Sequence, residues 1–282
     1  MWQVLLVFGE TIALFLSFYL IPEEYRNRSR NDHMVILLRT VILAVFTFCM
    51  NVLHKALFRF NVISEAEIWG LRNRFIVLPI IVAAIHISIL FSGTIVKAAL
   101  WAKRVNLPFM ESLLYWSAYS SDTWVDLRNL VICPLLEELL YRGNILTFLL
   151  HNDYSLWESI LISSVAFGSC HLHFIYTFLK QDYSVASAVS QCSFMFLYTT
   201  LFGILVSVVY VRTGSLVAAS AVHALCNFFS IPSVEFLREQ SPLYEKRYYI
   251  LGSYLVGIIL YCALFTTLLN PVWFHSQFYS MI

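Results

Sequence analysis

The chain has 282 residues, of which 60% are hydrophobic and 12% charged, with a mean hydropathy of +0.74. Soluble domains carry roughly a quarter charged residues, so this composition excludes an ordinary soluble globule and points to a multi-span membrane protein. The formal net charge of +1 supplies no field that would draw nucleic acid or fix the chain to an acidic surface.

In chain order, apolar runs of about twenty residues, the length that crosses a bilayer core as a helix, fall near 2–21, 34–53, 75–96, 124–150, 157–177, 187–211, 214–231 and 248–269. The expected fold is therefore an all-α polytopic bundle of about eight transmembrane helices. It forms a single domain over 1–282, since no linker divides it. The first run has no basic n-region, carries Glu10 and lacks a small-x-small cleavage site, which reads as a retained span rather than a signal peptide. Polar stretches separate the runs: "PEEYRNRSRND" after the first, "SEAEIWGLRNR" before the third, "REQSPLYEKR" before the last. Residues 106–124 are amphipathic and suit a surface or re-entrant position. The cysteines Cys49, Cys133, Cys170, Cys192, Cys226 and Cys262 all sit in apolar stretches without CxxC spacing. They read as small buried apolar residues, neither a disulfide framework nor a zinc site.

Charge is most informative where it is most expensive. Residues 134–142 read "PLLEELLYR", three charges within an apolar run, and each ionisable residue at membrane depth costs about 2.5–3.5 kcal/mol even on the mild insertion scale. Glu138 and Arg142 are i and i+4 and share a helix face, so they can pair. Glu137 points about 100° away, toward the face of Tyr141, and is left free. Two further polar groups interrupt apolar helices. In "FGSCHLH" (167–173) Phe167 and His171 are i and i+4, whereas His171 and His173 fall on opposite faces of a regular helix and cannot chelate one metal there. In "HALCN" (223–227) His223 and Asn227 share a face.

A free carboxylate, a histidine able to share its proton and a His/Asn pair offering N–H donors are the parts needed to hydrolyse an amide with an activated water. Two histidines and a glutamate also suit zinc with an open position, but an amide is a poor zinc ligand and no HExxH is present. Buried Glu and His groups equally serve a proton-relaying transporter, although no internal repeat is visible, or a protein that binds without catalysis.

The order of three motifs adds a resemblance. "EELLYR", "FGSCH" and "HALCN" fit EExxxR, FxxxH and HxxxN, and on consecutive apolar segments they resemble the CAAX prenyl protease and bacteriocin-processing family of intramembrane proteases. The run "RTGSLVAASAVHALCNFFSIPS" is similar, more narrowly, to the type II CAAX prenyl endopeptidases, the Ras-converting group. The motif-bearing core spans about 120–235. The resemblance implies an endoplasmic reticulum membrane protease that removes the aaX tripeptide from farnesylated or geranylgeranylated CAAX proteins such as Ras-type small GTPases. It implies that Glu137 and His171 activate the water and that His223 and Asn227 form the oxyanion hole. Glu138, Arg142 and Phe167 would support the site. No cofactor is expected, and the partners are prenylated proteins and membrane lipid.

Lys and Arg orient the spans. Loops after odd-numbered runs hold ten (Arg26, Arg28, Arg30, Lys97, Lys103, Arg104, Lys180, Arg238, Lys246, Arg247), and those after even-numbered runs five (Lys55, Arg59, Arg72, Arg74, Arg212). The bias places odd loops in the cytosol and both termini in the lumen. The sequon Asn27-Arg28-Ser29 should therefore carry no glycan. A glycosidase-sensitive mass shift that disappears in Asn27→Gln would reverse this orientation.

Overall fold

The computed structural model describes residues 2–58 and 77–278; the polar stretch 64–74 and the basic residues Arg59, Arg72 and Arg74 lie outside them. The described residues form helices and turns, with no strand. α1 (Trp2–Ser17) and α2 (His33–Phe58) lead in. α3 (Val77–Leu90) and α4 (Ser92–Val105) meet at 71°, so the straight span expected over 75–96 is bent at Phe91. α5 (Phe109–Tyr115) lies within the amphipathic stretch and docks on α4, where the Ser112 hydroxyl donates to the Ala98 carbonyl at 2.6 Å.

Residues 123–150 form one continuous helix, α6, in which α-helical turns alternate with π turns at Arg128–Ile132 and Leu139–Leu146. α7 (Leu156–Ser169) passes through a 3-10 turn, Cys170–His173, into a last helical piece, Phe174–Lys180. α8 (Val185–Thr213), α9 (Leu216–Phe229) and α10 (Arg247–Leu268) complete the bundle.

The ends follow local chemistry. Ser155 and Glu158 make a reciprocal capping box that starts α7. Gly214, at φ +61°, stops α8 in the left-handed conformation, and the Ser215 side chain caps α9 one residue later.

Among the described residues five segments are long and apolar enough to cross a bilayer: Trp2–Leu20, His33–Ala56, Leu156–Lys180, Val185–Thr213 and Tyr244–Leu268. The bent α3–α4 pair makes a sixth if counted as one span. The chain is thus an all-α, multi-pass membrane protein, but the expected eight is not reached. The two shortfalls have a physical cause. α6 carries Asp126, Arg128, Glu137, Glu138 and Arg142, too much charge to face lipid. α9 has 14 residues, a length of about 21 Å at 1.5 Å per residue against a core of about 30 Å. Both are interior elements. Residues 140–150 of α6 are buried without a break, and α9 buries Leu216, Ala218, Val222, His223, Cys226 and Phe229.

Around that centre the outer helices expose Leu5, Phe48, Leu197, Leu201 and Ile259, as lipid-facing surfaces do. α1 is tied to α2 by a buried His54–Glu10 contact of 2.7 Å. α7 and α8 cross closely at Gly203, where a Cβ would stand 3.0 Å from the Ser164 Cβ. Such small-residue crossings let membrane helices approach, and this one brings the Gly203 carbonyl into reach of α6.

Candidate active site

Pro134 shapes the first half of the site. Proline has no N–H and its ring crowds the preceding turn, and the helix just before it widens into the π turn Arg128–Ile132, in which the Cys133 N–H reaches back to the Arg128 carbonyl. In the same register the next donor, to the Asn129 carbonyl, would be the N–H of residue 134, which proline lacks. The Asn227 side-chain amide donates to that carbonyl instead, at 2.9 Å. The second π turn is closed in the same way. The Ser163 hydroxyl donates to the Tyr141 carbonyl at 2.8 Å, and the Thr147 hydroxyl to the Arg142 carbonyl at 2.9 Å. π turns of this kind occur often at functional sites.

The expected Glu138–Arg142 pair forms, with Arg142 Nη1 3.0 Å from Glu138 Oε1 and 2.9 Å from Oε2, and both side chains fully buried. The other two guanidinium nitrogens also find acceptors. Nη2 donates to the Gly203 carbonyl at 2.9 Å and Nε to the Ser207 hydroxyl at 3.2 Å, while the cation lies 5.0 Å from the Phe167 ring centre. Gly203 and Ser207 were not anticipated. Their signal is a small-xxx-small pair at i and i+4 on α8, legible only once a partner is known to face it.

His223 is placed differently from the expected His/Asn donor pair. Its Nδ1 lies 2.6 Å from Glu138 Oε1, and its Nε2 lies 3.8 Å from Glu137 Oε2. A carboxylate paired with arginine only accepts hydrogen bonds, so the proton between His223 and Glu138 belongs to Nδ1. Glu138 is thus held between a guanidinium and an imidazole, both hydrogen-bonded at Oε1. Glu137 is 29% exposed, and its oxygen faces His223 Nε2 across a gap too long for a direct hydrogen bond.

His171 does not sit on a regular helix, since Cys170–His173 is a 3-10 turn. Its Nδ1 contacts the Phe167 carbonyl at 3.2 Å, which leaves Nε2 as the nitrogen open to a ligand. The FxxxH spacing brings rings together: Phe167 lies edge-on to His171 at 5.2 Å and to His223 at 6.0 Å, so one ring buttresses both imidazoles. His173 turns elsewhere, stacked on Phe174 at 4.3 Å and near Phe15 at 5.2 Å. The HxH pair does not converge. Among the described residues no three His, Cys, Asp or Glu are grouped as metal ligands.

The start of α6 is anchored to the polar segment between α1 and α2. Arg128 donates to the Arg30 carbonyl at 2.7 Å and to the Asn31 side chain at 3.0 Å. Asp122 caps α6; the hydrogen bond with His33, then that from the Val125 N–H, holds its carboxyl below the ordinary range.

Residues 119–229 match the family of type II CAAX prenyl endopeptidases, Rce1-like. The chain is 32% identical over 146 residues to human CAAX prenyl protease 2, covering 51% of this chain and 43% of that protein. It is 30% identical over 126 residues to the Caenorhabditis elegans CAAX prenyl protease 2, covering 45% and 46% of the two chains. The Saccharomyces cerevisiae CAAX prenyl protease 2 gives 33% over 126 residues, covering 43% and 40%. Each match spans under half of the relative's own length. No solved structure matches the chain. Over residues 119–229 the motif resemblance and the family match agree, and that region contains every residue of the site.

Removing one partner of a buried ion pair leaves an uncompensated charge and costs about 3–5 kcal/mol. Glu138→Gln should therefore cut the amount of folded protein recovered from membranes and lower its melting temperature in detergent. Glu137→Gln should leave both near wild type, because a half-exposed carboxylate has no buried cation depending on it. Equal stability of the two variants would contradict this division.

Proposed function

We propose that the protein is an intramembrane endopeptidase of the endoplasmic reticulum that removes the aaX tripeptide from prenylated CAAX proteins, Ras-type small GTPases among them. The observation that carries this reading is the asymmetry of the adjacent glutamates. Glu138 is consumed by Arg142 and His223, whereas Glu137 is half open beside His223 Nε2. The names of the relatives and the Rce1-like match over residues 119–229 support the substrate class.

On this reading Glu137, with His171, takes a proton from a water that attacks the carbonyl of the prenylated cysteine. The new oxyanion forms near His223 and Asn227. His223 is held by Glu138, so a proton added at Nε2 makes an imidazolium that donates to the oxyanion. Asn227 spends one amide N–H on the Asn129 carbonyl and keeps a second. The proton held by Glu137 then passes to the leaving amine. The prenyl chain keeps the substrate at the bilayer through about 0.8 kcal/mol per buried CH₂, and lipid is thus part of the binding site.

The test is release of the tripeptide from a farnesylated CAAX peptide by purified protein in lipid. Wild type should cleave it, should fail on the unprenylated peptide at the same concentration, and should lose turnover with Glu137→Gln. A protein that only binds prenylated tails would retain the peptide and release nothing, and turnover by Glu137→Gln at the wild-type rate would remove Glu137 from its role.

The reaction needs no metal in this scheme. Exhaustive chelation should leave activity unchanged, and elemental analysis of the active protein should find no stoichiometric zinc. One zinc per chain, with activity lost on chelation and restored by zinc alone, would replace the water-activating carboxylate with a metal centre.

A further inference from the structure

Lys97 on α4 is only 2% exposed, yet no ion pair holds its ammonium among the described residues. Its Nζ lies 4.0 Å from the centre of the Trp116 ring, and Glu235 attracts it only from further away. A desolvated cation on an aromatic face recovers less than an ammonium loses when taken out of water. The Trp116 indole N–H beside it is also buried without an acceptor. Both groups line a cavity of about 170 Å³ that is shared with Thr94, Ser117, Ser230 and Ser233. Two orphaned donors, one cationic, around a small hydroxyl-rimmed space form a site for an anion.

The location narrows the anion. The cavity wall Phe229–Ser233 continues directly from α9, and the Ala118 N–H donates to the Phe228 carbonyl at 2.8 Å, closing the opposite wall onto the same helix end. From His223 to Ser230 is seven positions of α9, about 10 Å along the axis at 1.5 Å per residue. An extended tripeptide reaches about 10 Å. We infer that Lys97, with the Trp116 N–H, binds the C-terminal carboxylate of the substrate's aaX tripeptide, so that the enzyme measures the scissile bond from the free chain end. This rests on the reading of the protein as a CAAX protease, and it adds a specificity-determining contact remote from the reacting atoms.

The test compares binding of a fluorescent farnesylated CAAX peptide with that of its C-terminal amide, using Glu137→Gln protein in neutral phosphatidylcholine nanodiscs. The free acid should bind about 10- to 100-fold more tightly, the range of a charge-assisted hydrogen bond. Adding Lys97→Met, which keeps an unbranched apolar stem in the buried position, should abolish that preference and leave amide binding unchanged. Equal affinity for acid and amide in the Lys97 protein overturns the inference without any need for the variant. Equal weakening of both peptides by Lys97→Met assigns Lys97 a packing role and overturns it too. Binding that tracks added anionic phospholipid rather than the peptide terminus gives the cavity to a lipid headgroup instead. Because binding is read without turnover, failure of the wild type to release tripeptide would refute the protease reading while leaving this comparison intact.

Discussion

A guanidinium buried in the middle of an apolar bundle must have every donor met, and Arg142 sets the positions of four helices by that requirement. Glu138 answers it from the same helix, the Gly203 carbonyl and Ser207 hydroxyl from α8, and the Phe167 ring from α7. His223 joins from α9 through Glu138. Burying such a pair contributes little net stability against a well-packed apolar alternative. What it contributes here is register, since a helix sliding by one turn would take the Gly203 carbonyl and Ser207 hydroxyl from Arg142, or His223 from Glu138.

The backbone of α6 is bent to the same end. Each π turn frees a carbonyl from the helix ladder, and a side chain takes over: Asn227 at Asn129, Ser163 at Tyr141, Thr147 at Arg142. Two of these three donors come from other helices. The irregular backbone is thus also a set of interhelical contacts, in keeping with the rule that non-helical geometry at membrane depth survives only where protein satisfies it. Asn227 serves two ends at once, pinning α9 to α6 while presenting a second N–H.

Much of this was legible in the sequence. The all-α multi-pass class followed from composition, and the i, i+4 rule identified the Glu138–Arg142 pair and the free Glu137. The same rule found the Phe167–His171 contact. What the rule could not see was anything between helices. That His223 would meet Glu138 rather than act only with Asn227 depends on how α9 docks, and hydropathy carries no such information. The count of eight is not confirmed among the described residues, because a twenty-residue window treats a buried central helix and a lipid-facing one alike. The 3-10 turn at Cys170–His173 also escaped, since nothing in "CHLH" distinguishes it from a continuing helix. Lys97 was read as a loop charge that oriented the chain, although it lies inside the bundle.

The wiring of Arg142 and Glu138 has a consequence for biogenesis. Their partners lie far downstream: Gly203 is 61 residues after Arg142, Ser207 is 65, and His223 is 85 residues after Glu138. At 5–20 residues per second of synthesis, the last of these is made about 4–17 s after Glu138. Through that interval Glu137, Glu138 and Arg142 lack the α8 and α9 groups that meet them in the folded chain. α6 cannot be released sideways into lipid as an ordinary span, and has to wait at the insertion machinery, or under a membrane chaperone, until α8 and α9 arrive to enclose it.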